Sequence, residues 1–232
     1  MNSARDPSSC ADRELQSPAD QISRDLQDKP DQSCLDGVTG ARVDRELSQF
    51  FTPAALAEDV ADWAISRLHY SDVLEPSAGR GALIKPLAML GCSMTAVEID
   101  GDNVRALREL RATKLRVVDG DFLAMDPNSL GVFDLCVMNP PYEHNQDVAF
   151  IEHALHSSDR VVGIFQSRIL HSKGRAEFWR HHDITRMAIL SSRPRFGGEH
   201  SAKTDFLVLE IFRRAAPRRQ GEATPAHVEW WP

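Results

Sequence analysis

From about residue 50 to residue 212, short apolar runs alternate with segments whose apolar residues recur every three or four positions. The short runs predict buried strands, and the longer spacing predicts helices that pack by one face. The predicted strands are Val73–Glu75, Ser93–Glu98, Leu115–Val118, Val132–Met138, Arg160–Phe165, Ile184–Leu190 and Phe206–Phe212. The predicted helices are Ala54–Leu68, Ala82–Leu90, Asn103–Leu110, Val148–His156 and Arg175–His182.

Strand and helix alternate along most of this stretch, which predicts an α/β fold with a doubly wound, mostly parallel sheet of seven strands. The last two apolar runs depart from this alternation, because no helical segment separates them. Only the loop Ser191–Asp205, which contains Gly197-Gly198, lies between them. Such a pair predicts a hairpin, and therefore an antiparallel C-terminal strand at the edge of the sheet.

The two ends of the chain differ from this pattern. Residues 1–45 are rich in Asp, Ser, Gln, Arg and Pro and poor in apolar residues, which predicts a disordered N-terminal tail. Residues 46–214 are expected to form one domain, and residues 215–232, with their Pro and Arg, a loose C-terminal tail. The adjacent Trp230 and Trp231 leave open whether that tail docks on the domain.

Composition narrows the class of protein. The sequence has no apolar run near the ~20 residues of a membrane span and no signal-peptide core at its N-terminus. Its four cysteines are scattered without a Cys-x-x-Cys pair, which argues against a zinc site or a disulfide framework. We therefore expect a soluble cytoplasmic protein without metal or membrane partners.

The net charge of −7 is unevenly distributed. Residues 49–159 carry 8 basic and 17 acidic side chains, whereas residues 160–219 carry 13 basic and 5 acidic ones. A basic segment on an acidic protein predicts a surface that faces a polyanion. The alternative is that these arginines only solvate exposed helices.

The first candidate for chemistry is the turn Glu75-Pro-Ser-Ala-Gly79-Arg-Gly81 after the first strand. Glycines there let the backbone turn tightly and approach a ligand, next to the free N–H groups of a helix start. The turn has one glycine fewer than the dinucleotide-binding fingerprint, which disfavours NAD. Taken alone it is also compatible with an ordinary strand-to-helix turn.

Acidic residues follow the next two strands. A carboxylate at Glu98 suits the hydroxyls of a ribose, and Asp121 suits an adenine amino group, with Phe122 or Ile99 against the ring. Because the carboxyl ends of parallel strands share one edge, these groups and the glycine turn are expected to line one crevice. The set predicts a pocket for an adenosine-bearing cofactor.

The fourth feature is Asn139-Pro140-Pro141-Tyr142 after an apolar strand. The prolines end the strand and stiffen the turn. The turn carries an amide at one end and an aromatic ring at the other, which suits a planar, amine-bearing substrate. A methyl donor placed opposite would make this a site for methylating that amine.

At these motifs the chain resembles a known family. The segments are similar to those of S-adenosylmethionine-dependent adenine-specific DNA methyltransferases, in the branch whose T-P segment and cofactor motif precede N-P-P-Y. They are Phe51–Pro53, Glu75–Gly81, Val97–Asp100, Gly120–Phe122 and Asn139–Tyr142. The resemblance covers roughly residues 50 to 212. It implies a Rossmann-like methyltransferase sheet, S-adenosyl-L-methionine as cofactor, and a small enzyme of the orphan or prophage type.

The resemblance also implies roles for the matched positions. Near the methionine moiety of the cofactor it implies Phe51, Thr52 and Pro53, and around its amino acid part Glu75, Ala78 and Gly79. It implies Glu98 at the ribose, and Ile99, Asp121 and Phe122 at the adenine. Asn139 is also implied to contact the cofactor. In catalysis, Asn139 and the Pro140 carbonyl accept hydrogen bonds from the target amine. Tyr142 stacks on the flipped adenine of duplex DNA, next to Pro141.

Contacts to the rest of the substrate are expected from loops, since the relatives' separate recognition domain has no counterpart in this sequence. Basic residues in two of these loops suit phosphate contacts: Arg168, Lys173, Arg175, Arg193, Arg195 and Lys203. Phe196 is either a second wall of the base pocket or a core residue of the hairpin. We therefore expect weak or short-site specificity.

Two other classes of function stay open. The same fold and turn also serve enzymes that methylate a base in RNA or a protein glutamine. A nucleic-acid-binding protein with a vestigial cofactor pocket is the non-enzymatic alternative, which the intact Asn139, Tyr142, Glu98 and Asp121 disfavour. The sequence does not indicate an oligomeric state.

Overall fold

The computed structural model describes residues 51–66, 72–171, 173–196, 204–215 and 226–232. The predicted disordered tail 1–45, Lys203 and the Lys173 side chain lie outside this part. The helices are α1 (Ala54–Ile65), α2 (Ile84–Met89), α3 (Gly101–Arg108), α4 (Pro127–Leu130), α5 (Gln146–Ala154) and α6 (Ala176–His181). The strands are β1 (Asp72–Glu75), β2 (Ser93–Glu98), β3 (Leu115–Asp119), β4 (Leu135–Met138), β5 (Arg160–Gln166), β6 (His182–Leu190), β7 (Phe206–Arg213) and β8 (His227–Trp231).

Within the described residues the strands form one sheet of eight, in the order β3-β2-β1-β4-β5-β7-β6-β8. All neighbouring strands are parallel except at β7, which is antiparallel to β5 and β6. The predicted doubly wound α/β sheet with an antiparallel C-terminal strand is confirmed, but that strand, β7, lies between β5 and β6 and not at the edge of the sheet. The predicted number of strands was one too low.

The additional strand is β8, which lies in the segment predicted to be loose. It pairs in parallel with β6, from Arg186 opposite His227 to Leu190 opposite Trp231. The Trp231 ring meets the Trp63 ring of α1 edge to face, with centroids 5.7 Å apart. A five-residue strand is stable only with a partner, and the open edge of β6 cannot be inferred from local sequence. For residues 227–231 the expectation of a loose tail was wrong.

Both faces of the sheet are covered. Neighbouring residues of β4 point to opposite sides, so that Leu135 and Val137 pack with α1 and α2, and Cys136 and Met138 pack with α5. Buried strands with two apolar faces are typical of parallel sheets covered by helices. No helix in the described part of the chain is long and apolar enough to cross a membrane.

The strand order creates a switch point between β1 and β4. From β1 the chain proceeds to β2 and β3 on one side and then crosses to β4 on the other. In open α/β sheets the loops that leave the carboxyl ends of such strands part at this point and form a crevice. The turns after β1, β2, β3 and β4 therefore surround one cleft.

Candidate active site: a cleft at the carboxyl edge of the sheet

A cleft of about 640 Å³ lies at this edge, and a smaller pocket of about 260 Å³ adjoins it. The cleft is lined by seven predicted cofactor residues, Phe51, Gly79, Glu98, Ile99, Asp121, Phe122 and Asn139. The smaller pocket adds Thr52, Glu75 and Ala78. Pro53, the eleventh predicted residue, lines neither and faces a separate groove beside β8.

Two glycines shape the turn after β1. Gly79 and Gly81 have φ angles of +52° and +77°, which glycine adopts at little cost. A Cβ on Gly81 would also lie 2.6 Å from the Leu110 side chain. The turn is tied to the next strand, because the Ala78 N–H donates to the Val97 carbonyl at 3.1 Å. The backbone can therefore approach a ligand closely at Gly79.

The Glu98 carboxylate joins two loops of the cleft. Its Oε2 accepts from the Gly79 N–H at 2.6 Å, and its Oε1 accepts from the Asp100 N–H at 2.8 Å. Charge-assisted hydrogen bonds of this kind are among the stronger ones in proteins. Glu98 thus holds the glycine turn against the start of α3, in addition to any contact with a ribose.

Asn103 also lines the cleft, although it belongs to none of the sequence motifs. It lies on α3, is buried, and accepts a hydrogen bond from Arg80 Nε at 3.4 Å. Its Nδ2 has no hydrogen-bond partner within the described structure. The signal was its position five residues after Glu98, in the first turn of the helix that follows the acidic strand end.

Asp121 and Phe122 form the opposite wall. Asp121 Oδ1 accepts from the Leu123 N–H at 3.0 Å and caps the short 3-10 helix Phe122–Ala124. The Phe122 ring packs against Phe150, with centroids 5.3 Å apart, and Phe150 also lines the cleft. The apolar part of the predicted adenine wall, Phe122, is thus supported by Phe150 of α5.

Glu75 is a buried carboxyl group at the end of β1. Burial, and to a smaller degree the charge of Glu98, raises the pKa of Glu75 well above its ordinary value. Its Oε2 has no hydrogen-bond partner among the described residues. A buried polar oxygen without a partner is costly, so a cationic or hydrogen-bonding ligand in the adjoining pocket would stabilise it.

Replacing Glu75 with Gln should raise the melting temperature of the cofactor-free protein at pH 7. Between the ordinary carboxyl pKa of about 4.3 and the raised pKa of the folded state, the folded protein binds more protons than the unfolded chain. Wild-type stability therefore falls as pH rises through this window, and the Gln variant lacks that fall. Thermal unfolding from pH 4 to pH 8 measures how the melting temperature of each variant depends on pH, with Glu58→Gln at an exposed position as the control. Parallel pH profiles for wild type and Glu75→Gln would contradict the assignment.

Asn139 is held on three sides. Its Nδ2 donates to Thr52 Oγ1 at 2.9 Å, its Oδ1 accepts from the Tyr142 hydroxyl, and its backbone carbonyl accepts from Ser77 Oγ at 3.2 Å. Thr52 followed by Pro53 predicts a helix N-cap and a proline in the first helical position. In the structure Pro53 is instead the residue before α1, and no side chain caps the helix. The Thr52 hydroxyl instead fixes which way the Asn139 amide faces.

Tyr142 differs from its predicted role. The residue is only 1% exposed, its ring packs against Phe206 with centroids 5.5 Å apart, and its hydroxyl also lies 3.0 Å from the Ile164 carbonyl. Burial raises the pKa of Tyr142 well above its ordinary value, so the hydroxyl stays a donor. A ring enclosed by the core offers no face for stacking in this conformation. The hydroxyl has one proton for two acceptors, Asn139 Oδ1 and the Ile164 carbonyl.

Tyr142→Ala should destabilise the protein by about 3–5 kcal/mol, as for other large buried aromatic residues, whereas Tyr142→Phe should cost only about 1 kcal/mol for the lost hydrogen bond. Urea unfolding of both variants measures the difference. A residue that only stacks on substrate would give an alanine variant of nearly wild-type stability, and that outcome would refute the buried role.

The remaining predicted substrate residues are separated by the fold. Pro141 lines the cleft. Phe196 packs against Phe206, with centroids 4.7 Å apart, which fits the core alternative rather than a second wall. Arg168 is exposed, and its guanidinium donates to the Tyr142 carbonyl, so it steadies the N-P-P-Y turn. Arg195 is exposed on the groove that contains Pro53.

The basic segment is mostly neutralised within the protein. Seven of its described arginines make ion pairs with acidic side chains: Arg160, Arg175, Arg180, Arg186, Arg193, Arg213 and Arg214. Arg175 is buried and paired with the buried Asp147 at 3.0 Å, so its predicted phosphate role was wrong. The polyanion-facing surface that net charge predicted is therefore limited to a few exposed arginines.

No protein-family model matches the chain. A ribosomal RNA small subunit methyltransferase A from Thermosynechococcus vestitus is 40% identical over 81 residues, 34% of this chain and 30% of that protein. A release factor glutamine methyltransferase from Streptomyces coelicolor is 33% identical over 100 residues, 40% of this chain and 36% of that protein. The chain thus spans about a third of the length of these two relatives.

Solved structures with the same fold extend over more of the chain. The 23S rRNA methyltransferase ErmE aligns with a TM-score of 0.55 at 22% identity, over 75% of this chain and 73% of that one. The M protein of the type I restriction enzyme EcoKI gives 0.57 at 15% identity, over 78% and 48%. Magnesium protoporphyrin IX methyltransferase from Synechocystis, solved with bound S-adenosylmethionine, gives 0.51 at 16% identity, over 69% and 79%. The chain has the fold of the S-adenosylmethionine-dependent methyltransferases, and S-adenosyl-L-methionine is the cofactor expected in its cleft.

Proposed function

We propose that this protein transfers the methyl group of S-adenosylmethionine to the exocyclic amino group of an adenine in DNA. One observation carries the proposal: Asn139, the first residue of the N-P-P-Y turn, lines the same cleft as Glu98 and Asp121. The amide that would receive the target amine therefore faces the groups assigned to the cofactor. Amine and methyl donor would meet across a single cleft.

The residues of the cleft fit the cofactor. The buried Glu75 oxygen without a partner suits the ammonium of a methionine moiety, and the Gly79 backbone leaves room beside it. Glu98 and Asp121 offer carboxylates to the ribose and the adenine, with Phe122 against the ring. When bound, the cofactor supplies an electrophilic methyl group on a sulfonium. No cluster of three or more metal-ligating side chains occurs in the described parts of the chain.

The chain's own contribution would be positioning and polar complementarity. An aromatic amine is a weak nucleophile because its lone pair is delocalised into the ring. Hydrogen bonds from its N–H groups to Asn139 Oδ1 and the Pro140 carbonyl would favour a pyramidal nitrogen with its lone pair localised. No strong base is needed before attack, since the proton leaves afterwards. Such fixed acceptors act where charge develops in the transition state.

The Tyr142 hydroxyl would tune this step. When the hydroxyl donates its hydrogen bond to the Ile164 carbonyl, it no longer competes with the target amine for Asn139 Oδ1. In a duplex the base must also be extruded, at a cost of a few kcal/mol. Because Tyr142 is buried, we assign the apolar contact with the extruded base to Pro141, which lines the cleft.

A base in RNA is the second candidate substrate. The observation that favours it is the relative that is 40% identical over 81 residues, which is named as a ribosomal RNA methyltransferase. The same acceptor pair would suit the amine of an RNA base. A protein glutamine amide is a weaker candidate, supported by the release factor relative at 33% identity over 100 residues.

Transfer of a labelled methyl group to DNA, RNA and protein in parallel, followed by nucleoside analysis, tests the proposal. We expect N6-methyladenine in unmethylated DNA and none with the Asn139→Ala variant. Label in RNA alone would select the second candidate. Label in glutamine alone, or none at all despite calorimetric binding of S-adenosylmethionine, would overturn the assignment to nucleic acid.

A further inference from the structure

A groove of about 750 Å³ lies beside the cleft, between the start of α1 and the ends of β6 and β8. We call it the Arg195–Trp231 groove; its lining includes Pro53, Asp59, Arg193, Arg195 and Trp231. β6 and β8 run parallel to each other and in the direction of β5, so their carboxyl ends share the sheet edge that carries the cleft. The groove and the candidate active site therefore open at the same edge.

The groove begins next to the catalytic turn. Pro53 lines the groove, and the preceding Thr52 binds the Asn139 amide. Consecutive Cα atoms are about 3.8 Å apart, so one step along the chain leads from one site to the other. On the far side, Phe196 follows Arg195 and packs on Phe206, whose ring contacts Tyr142. Both walls of the groove are thus anchored to the turn.

Two arginines line one side of the groove, and Arg195 makes no ion pair with the described residues, whereas Arg193 pairs with Asp205. Arg193 and Arg195 are both exposed. Arg193 uses its Nε–H for Asp205 at 2.8 Å, which leaves the rest of its five-donor guanidinium directed elsewhere. A single lining acid, Asp59, lies at the α1 end. Because Asp205 partly balances the charge of Arg193, Arg195 supplies most of the positive charge that the groove offers to a phosphate.

The aromatic wall is rigid. The Trp231 carbonyl accepts from both the Ser191 N–H at 2.9 Å and Ser191 Oγ at 2.6 Å, and the Trp231 ring rests edge to face against Trp63. Trp231 is half-buried and lines the groove, and a large flat ring that is held in place before binding can serve as a stacking platform for a base. An acidic peptide would use the arginines but would leave this ring without a matching group.

We propose that the Arg195–Trp231 groove binds the unpaired strand next to the target nucleotide, with a base stacked on Trp231 and phosphates at Arg193 and Arg195. The inference rests on the proposed function and adds where the substrate's backbone lies. Phosphate contacts and base stacking together are the usual means of binding single strands without sequence preference.

Binding of fluorescent 12-nucleotide DNA and RNA single strands to the full-length protein tests this. Trp231→Ala should weaken binding about tenfold, and Arg195→Ala should weaken it and lower the slope of log affinity against log salt by about one. Asp59→Asn should strengthen it. The matched controls are Trp230→Ala, a 73%-exposed tryptophan that neighbours Trp231 on β8, and Arg108→Ala on α3, both expected within twofold of wild type.

Trp231→Phe guards against a folding defect, since it keeps an aromatic face and should restore most of the affinity. Equal losses for Trp230→Ala and Trp231→Ala, or displacement of the strand by polyglutamate but not by unlabelled oligonucleotide, would overturn the proposal. The binding assay does not depend on methyl transfer, so a negative result in it does not contradict the proposed function. If the Trp231→Ala and Arg195→Ala variants methylate DNA as fast as the wild type, the groove does not bind the substrate, and the proposed function still stands.

Discussion

Replacing Asn139 with alanine is expected to lower kcat for methyl transfer by at least about 100-fold, while the affinity for S-adenosylmethionine stays within about threefold. The side chain's assigned partner is the reacting amine, and its hydrogen bonds to Thr52 and Tyr142 hold it in place for that partner. The cofactor's main polar contacts are assigned elsewhere in the cleft. Single-turnover kinetics and calorimetry separate the two quantities.

Asn103→Ala is the matched control, because it is the same substitution on the other side of the cleft. Asn103 is buried on α3, distant in sequence from the N-P-P-Y turn, and it receives a hydrogen bond from Arg80. Its loss should weaken cofactor binding more than it slows the transfer step. If Asn139→Ala lost cofactor affinity and kcat to the same degree, its assignment as the acceptor for the target amine would be wrong.

Removing the Glu98 carboxylate should have the largest effect on the cofactor. In Glu98→Ala the half-buried N–H groups of Gly79 and Asp100 lose their acceptor, and a donor left unsatisfied away from water costs about 1–3 kcal/mol. We expect the protein to be destabilised by a few kcal/mol and cofactor affinity to fall more than tenfold, because the glycine turn and the assigned ribose contact are lost together. Chemical unfolding and calorimetry measure the two effects.

Two variants calibrate that result. Glu98→Gln keeps one carbonyl oxygen and should lie between wild type and Glu98→Ala in both measurements. Glu109→Ala, at the exposed residue that follows the last residue of α3, should change neither. Full cofactor affinity in a folded Glu98→Ala protein would mean that the turn holds its shape without the carboxylate and that the ribose contacts another group.

The cleft was predictable from sequence to an unusual degree. Ten of the eleven predicted cofactor residues line it or the adjoining pocket. Eight of the ten end or follow a strand, and the ends of parallel strands meet at one edge, whereas Phe51 and Thr52 precede α1. Asn103 was missed because it lies inside a helix, where its entry into the cleft depends on how α3 packs on the sheet. Whether each residue plays its assigned role is a matter for the experiments above.

The surface was less predictable. Net charge over residues 160–219 suggested a basic face, yet most of the described arginines find acidic partners far away in sequence, such as Arg213 with Glu152 and Arg160 with Glu210. Ion pairs across separate elements depend on side-chain positions in the folded state. Only a small set of exposed arginines, which includes Arg195, has no acidic partner among the described residues.

The sequence by itself determined the alternation of strand and helix, the edge of the sheet that carries the chemistry, and the identity of most groups in the cleft. These follow from local periodicity and from turns with strong backbone preferences. Only the tertiary structure decided that Tyr142 is enclosed by the core, that Thr52 orients Asn139 rather than capping α1, and that residues 227–231 add a strand to β6. Each of these depends on contacts between residues far apart in the chain, whose free energy is gained only when the whole domain packs.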